Sequence, residues 1–164
     1  AAKIEQYLYT VNSFQTKLNL LNFLLSDKEN FNKVIIFCKS KKNANRIAEV
    51  IQMNYGADGI NVLHGDKTQQ TRLNAINRFR EEEIRLLIAT DVAARGIDIQ
   101  QLPYVVNFEL PRSANDYIHR IGRTGRAGQQ GYAVALITEE DEDHFRLIEK
   151  RMKKRLPREQ ILGL

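Results

Sequence analysis

Val34-Ile35-Ile36-Phe37-Cys38, followed at once by Lys39-Ser40, is the stretch whose reading decides the fold. Five apolar residues in a row leave no polar face, which is the pattern of a strand covered on both sides. Ser40 then has the chemistry of a helix N-cap, and Ile47, Val50 and Ile51 recur behind it at helical spacing. A buried strand that runs directly into an amphipathic helix predicts a β-α unit of a parallel sheet.

The same alternation continues in both directions. Upstream, Ile4 to Val11 reads as a strand and Phe14 to Leu25 as a helix. Downstream, Ile60 to Leu63 is a short strand, and a helix starts at Thr68 with Leu73, Ile76 and Phe79 recurring every three residues. Arg85 to Ala89 and Tyr104 to Phe108 are further strands. Ser113 opens another helix, with Asp116 at the spacing of a capping box. Tyr132 to Ile137 closes the strand series, and Glu139 to Leu156 reads as one last helix. Together these units predict an α/β fold, a three-layer sandwich with a mainly parallel sheet and helices on both faces. Ligands of such sheets bind beyond the carboxyl ends of the strands.

Length and composition bound the function. The 164 residues suit a single domain, 1–164, with one full core. There is no run of about 18 apolar residues to cross a membrane as a helix, and no charged-then-apolar leader. The one cysteine, Cys38, cannot close an internal disulfide, and no Cys/His cluster has metal-site spacing. A cytoplasmic protein with no metal site of its own is the expectation. The net charge of +5 suits a nucleic-acid partner without requiring one. Lys150, Arg151, Lys153, Lys154 and Arg155 supply five positive charges, and the remainder of the chain balances to zero.

The chemistry concentrates at strand ends. His119-Arg120-Ile121-Gly122-Arg123-Thr124-Gly125-Arg126 sets three arginines three residues apart, with glycines beside Arg123 and Arg126. Arginine keeps its charge at any working pH and grips phosphate with two parallel N–H bonds, while glycine removes side-chain bulk that would hold a polyphosphate away. Thr90-Asp91-Val92-Ala93-Ala94-Arg95-Gly96-Ile97-Asp98 leaves its strand with a hydroxyl, two carboxylates, an arginine and a glycine. A carboxylate such as Asp98 accepts from ribose hydroxyls, and Thr90 with nearby backbone N–H groups can hold a phosphate. His64-Gly65-Asp66 ends another strand, with Gln69 and Arg72 at the start of the next helix, and Lys39-Ser40 ends a third.

In this order, the segments Val34 to Ser40, Gln69 with Arg72, Ala89 to Ile99 and His119 to Gly128 resemble the C-terminal RecA-like lobe of a DEAD-box ATP-dependent RNA helicase. The resemblance runs from Ile4 to about Arg158, and the segments Leu102 to Pro111 and Ile148 to Arg158 are most similar to the bacterial RhlE type. It implies a RecA-like sandwich and a role for each matched residue. Arg123 and Arg126 would be arginine fingers on the γ-phosphate of ATP. Gly96 and Asp98 would face the ribose. Ser40, Gly65, Arg72 and Thr90 would hold the RNA backbone without reading its bases, and His119 and Arg120 would meet the N-terminal lobe.

The resemblance also implies that ATP and Mg²⁺ are held mainly by that N-terminal lobe. No GxxxxGK[ST] phosphate loop occurs in the sequence, and no strand before the arginine motif ends in metal-binding acids. The lobe alone is therefore expected to be inactive. The start at Ala1-Ala2, just before a strand, reads as a cut from a longer protein. Asp141-Glu142-Asp143-His144 mimics a metal-binding box, but it follows the arginine motif. With Glu139 and Glu140 it reads as an acidic helix start opposite a basic end, complementing the helix dipole. Phe145, Ile148 and Met152 read as a core stripe and Cys38 as a core residue. The competing reading is a free-standing module that binds RNA or a protein without catalysis. The arginine spacing argues against it, because binding alone has no use for fingers aimed at a γ-phosphate.

Overall fold

Val34–Cys38 is strand β2, and all five of its residues are buried. In a computed structural model that describes residues 3–56, 59–125 and 130–164, it lies inside a seven-stranded sheet. Chain order runs β1 (Lys3–Thr10), α1 (Phe14–Leu25), β2, α2 (Lys41–Tyr55), β3 (Ile60–Leu63), α3 (Gln69–Arg80), β4 (Leu86–Thr90) and α4 (Asp91–Ala94). It continues with β5 (Tyr104–Asn107), α5 (Ala114–Ile121), β6 (Gln130–Ile137), a 3₁₀ turn at Glu139–Asp141, α6 (Glu142–Met152) and β7 (Arg158–Glu159). Strand order across the sheet is β3-β4-β2-β5-β6-β1-β7, and every pairing is parallel.

The pleat sorts the strand residues between two cores. Val34, Ile36, Cys38, Leu86, Ile88, Val106 and Val134 face one side, where Leu18, Leu21 and Leu25 of α1 and Ala44, Ile47 and Ile51 of α2 cover them. Ile35, Phe37, Leu87, Ala89 and Val105 face the other side, under Ala75, Ile76 and Phe79 of α3 and the short α4. Leu8, Ala133, Ala135 and Ile137 share that second side with Tyr117 of α5 and Phe145 and Ile148 of α6. A sheet covered on both faces explains why its strands read as unbroken apolar runs. No described helix is long and apolar enough to cross a membrane.

Ser13, Ser40, Thr68 and Ser113 cap α1, α2, α3 and α5, each side-chain oxygen accepting from the backbone N–H three residues on. Three sequence expectations change. Leu73 is 43% exposed, so the apolar stripe of α3 is Ala75, Ile76 and Phe79. At α5 only the Ser113 half of the capping box is recorded, whereas Thr138 and Asp141 complete one ahead of α6. The final helix is shorter than Glu139 to Leu156, because it ends at Met152 with Lys153 in the left-handed conformation at φ 58°. Lys153, Lys154 and Arg155 therefore lie past the helix. What organises the segment after it is Glu149, which accepts from Leu156 N at 2.7 Å and from both ends of the Arg158 guanidinium at 2.7 Å.

Candidate functional site

Because every strand is parallel, all carboxyl ends meet at one edge of the sheet. Register sets Cys38 beside Thr90 and Leu63 beside Ala89, so β3, β4 and β2 release their loops side by side. Ser40, Gly65 and Thr90 stand within two residues of those ends. Lys41 Nζ reaches Asp66 Oδ2 at 2.8 Å and clips the β2 loop to the β3 loop across β4. Gly65 is exposed, and a Cβ there would meet nothing within 4 Å, so packing does not demand glycine. Thr90 is 8% exposed, and its hydroxyl makes no capping bond to α4. Arg72, one turn into α3, holds Gln69 Oε1 through Nη2 at 2.9 Å, and its buried Nε has no partner among the described residues. His64 is buried, and its Nδ1 accepts from Asp66 N at 3.2 Å. Burial first, and then Lys67, pushes its pKa down, which keeps the ring neutral as a brace for the turn.

The loop after α4 and the end of α5 lead away from this edge toward the amino ends of the strands, where Arg123 O accepts from Leu102 N at 3.0 Å just ahead of β5. Arg123 donates to the carbonyl of Ile97 and, at 3.3 Å, to that of Ala94, which ties it to the loop carrying Gly96 and Asp98. Burial pulls its pKa down while Asp98 pushes it up; the group stays cationic. Gly96 sits at φ 78° in open space, so backbone conformation is what asks for glycine there. Asp98 is exposed, and its backbone carbonyl accepts from Arg80 at 2.6 Å and 3.2 Å. Gly96, Arg95, His119 and Arg123 line a cavity of about 150 Å³. Whole small-molecule pockets run from about 300 Å³ upward, so this concavity is too small to enclose a whole nucleotide. Among the described residues no three His, Cys, Asp or Glu side chains gather as a metal-ligand set.

Arg120 differs from its expected place. Its side chain is 2% exposed. Nε and Nη2 fork the Asp91 carboxylate at 2.7 Å and 2.6 Å, while Nη1 reaches Asn107 Oδ1 at 3.1 Å and Glu109 O at 2.6 Å. The guanidinium also lies 5.0 Å from the Phe37 ring centre. Four of its five N–H groups are engaged inside the lobe, where Arg120 joins α5 to α4, β5 and β2. His119, its neighbour on the helix, is exposed. Arg126 lies outside the described residues.

Other members of the motif turn out to be structural. Thr124 is fully buried, donates to the carbonyls of Leu102 and Pro103, and accepts from Tyr132 N at 3.2 Å. Gly125 has φ 73°, and a Cβ on Gly131 would fall 2.2 Å from its nitrogen, so the two backbones cross where only glycine fits. Asp141 Oδ2 accepts from Thr138 N at 2.9 Å, His144 Nε2 donates to Pro111 O at 2.7 Å, and Glu142 pairs with Arg158 at 2.7 Å. The mimic of a metal box is thus a helix start. Burial pushes the Cys38 thiol up to about 12, as befits a core residue. Residues that the sequence left unremarked are Asn107 and Glu109. Asn107 breaks the apolar run Tyr104 to Phe108, which was the available sign of a buried polar partner. Glu109 accepts from Lys39 N at 2.8 Å and Asn43 Nδ2 at 3.0 Å, tying β5 to the start of α2.

Residues 16–128 match the family described as "Helicase conserved C-terminal domain". The chain is 44% identical over 138 residues to DEAD-box ATP-dependent RNA helicase 40 of Arabidopsis thaliana, covering 84% of this chain and 12% of that protein. It is 39% identical over 158 residues to DEAD-box ATP-dependent RNA helicase CshA of Bacillus subtilis, covering 96% and 31%. It therefore spans less than a third of these relatives. Among solved structures it is similar to the E. coli DEAD-box protein SrmB, in a complex with regulator of ribonuclease activity A. The TM-score there is 0.83 and the identity 34%, with 98% of this chain and 91% of that one covered. The RecA-like fold, the arginine motif and these matches lead to one conclusion: the chain belongs to the helicase conserved C-terminal domain family, as the C-terminal lobe of a DEAD-box RNA helicase.

Proposed function

We propose that this lobe is the C-terminal half of an ATP-dependent RNA helicase, most similar to the RhlE type, which works in the cytoplasm. It supplies arginine fingers and part of an RNA-backbone track. The observation that carries the reading is the position of Arg123. Backbone carbonyls of Ala94 and Ile97 hold its guanidinium against the Gly96–Asp98 loop, which leaves the carboxyl edge just after Thr90. Two of its nitrogens are anchored, yet N–H donors remain for a phosphoryl oxygen. Asp98 stands exposed for ribose hydroxyls, and His119 faces out toward an N-terminal lobe, with Arg120 bracing it from behind. Arg126 is assigned as the second finger from its place in the motif.

ATP, held with Mg²⁺ mainly by the N-terminal lobe, would supply the γ-phosphoryl whose departure builds negative charge. Arg123 stabilises that charge where it grows. Ser40, Gly65, Arg72 and Thr90 hold sugar and phosphate, so RNA is bound without regard to sequence and short duplexes are opened locally.

The test joins this lobe to its N-terminal partner and follows steady-state ATP hydrolysis. Arg123→Ala and Arg126→Ala should each lower kcat, by up to roughly 10³- to 10⁵-fold, with a much smaller change in nucleotide binding. Arg→Lys should fail as well, since an ammonium cannot reproduce the planar fork. Parent turnover in a well-folded variant lacking both arginines would overturn the finger assignment. The lobe by itself should release no phosphate from ATP in excess RNA and Mg²⁺.

A further inference from the structure

The amino ends of the strands, opposite the ends from which Ser40, Gly65 and Thr90 emerge, carry a second surface. Phe31, Tyr104, Tyr132 and Tyr7 form a stacked row there, with successive ring centres 3.9, 4.9 and 6.5 Å apart. The row crosses the sheet because β5 and β6 pair Tyr104 directly with Tyr132. Phe31 is buried, but the three tyrosines are only half-buried. Tyr104 and Tyr132 line a cavity of about 790 Å³ whose rim carries Glu29, Glu82 and Glu83. All three carboxylates are exposed, and none has an ion pair among the described residues.

Two cations also line the cavity, and each is engaged by backbone carbonyls. Arg85 donates to Phe31 O and Leu25 O at 2.6 Å each. Lys33 Nζ reaches Arg80 O at 3.4 Å and lies 5.3 Å from the Phe79 ring centre. Glu5, paired in register with Tyr132, adds a fourth exposed carboxylate beside the row. An acidic, aromatic concavity thus sits on a chain whose formal net charge is +5.

We propose that this end of the sheet docks a basic, arginine-bearing peptide segment of a partner protein. Carboxylates and aromatic rings together are what a guanidinium recognises, the first through forked hydrogen bonds and the second through its flat, weakly hydrated face. Aromatic rows elsewhere serve as platforms for bases, but the excess of carboxylates over cations around this row disfavours the phosphates that any RNA must bring. The global field of the chain repels a basic peptide as well, so binding has to come from this patch.

The test uses the 164-residue chain and a fluorescein-labelled peptide alternating arginine and serine. Fluorescence anisotropy is read at low salt, beside the same peptide with glutamate in place of arginine and beside oligouridine. The arginine peptide should bind and the glutamate peptide should not. The triple variant Glu29→Gln, Glu82→Gln, Glu83→Gln should weaken the arginine peptide by roughly tenfold, at a few tenths of a kcal/mol per exposed pair. Tyr104→Leu should weaken it as well, while the triple variant should leave oligouridine binding no weaker than in the parent. Thermal unfolding checks that each variant keeps the parent fold. Undiminished peptide affinity in the folded triple variant, or no binding by the parent, would overturn the proposal. So would competition between oligouridine and the peptide that the carboxylate changes strengthen in favour of RNA.

Discussion

Arg120 and Asp91 make a two-pronged ion pair, Nε to Oδ1 at 2.7 Å and Nη2 to Oδ2 at 2.6 Å, which locks the end of α5 to the start of α4. The pair is asymmetric. The arginine side chain is 2% exposed and the aspartate 29%, so it is the arginine that depends on its partner for solvation. Both candidate nucleotide segments, Arg95 to Asp98 and His119 to Arg123, hang from this one joint.

Asp91→Ala should therefore destabilise the lobe by about 3 kcal/mol, since it strands a buried cation. Asn107 Oδ1 and Glu109 O still hold Nη1, which keeps the loss below that of a fully orphaned charge. Urea unfolding measures it. A change under about 0.5 kcal/mol, the usual size for surface substitutions, would show that Arg120 finds water or another acceptor.

Gly65, at the carboxyl edge, and Gly131, near the amino end of β6, make opposite predictions. A Cβ on Gly131 would lie 2.2 Å from Gly125 N and 2.6 Å from Thr124 Oγ1, so Gly131→Ala must shift backbone. It should cost roughly 1–3 kcal/mol or more. Gly65→Ala meets nothing within 4 Å and should leave the melting temperature near the parent's. If Gly65 lies on the RNA track, the same substitution weakens RNA binding without touching stability, and filter binding beside thermal melts separates the two effects.

RNA affinity should depend more on Arg72 than on the basic tail. Arg72→Ala is expected to weaken oligouridine binding several-fold and flatten its salt dependence. Neutralising Lys153, Lys154 and Arg155 together should do less, because they follow the helix end and lie outside the carboxyl edge. The reverse ranking in a salt titration would move the track to the tail.

The latch between α6 and β7 should be acid-labile. Burial pushes the Glu149 pKa up, but the Arg158 hydrogen bonds and the Leu156 N–H outweigh it, and the net shift is downward from 4.5. A depressed carboxylate stabilises the fold above its unfolded value and loses that contribution as pH falls through the folded value. Stability should thus decline below about pH 4.5, and Glu149→Gln should lower stability at neutral pH while removing part of that decline. Urea midpoints across the acid range test this. Parallel profiles for parent and variant would remove Glu149 from the acid response.

Much of this lobe was written locally in the chain. The run Val34–Cys38, the caps at Ser40, Thr68 and Ser113, and the strand-helix alternation all act over a few residues, where pattern and propensity suffice. So the α/β sandwich, and the strand ends that Ser40, Gly65 and Thr90 follow, could be read from the sequence. The end of α6 could not, because Lys150 to Arg155 continue a good helical composition and the stop at Lys153 accompanies Glu149 engaging Leu156 and Arg158 instead. Arg120 is the clearest divide. Its place in the arginine series marked it as a functional cation, yet Asp91, Asn107 and Glu109, brought in from two other elements, turned it inward. The aromatic row at the amino ends has the same origin, since Phe31, Tyr104, Tyr132 and Tyr7 are remote in sequence and meet only through strand register. Periodicity can decide which residues become strand or helix. Which buried charge is paired, and which rings share a face, depends on long-range contacts that exist only once the sheet has assembled.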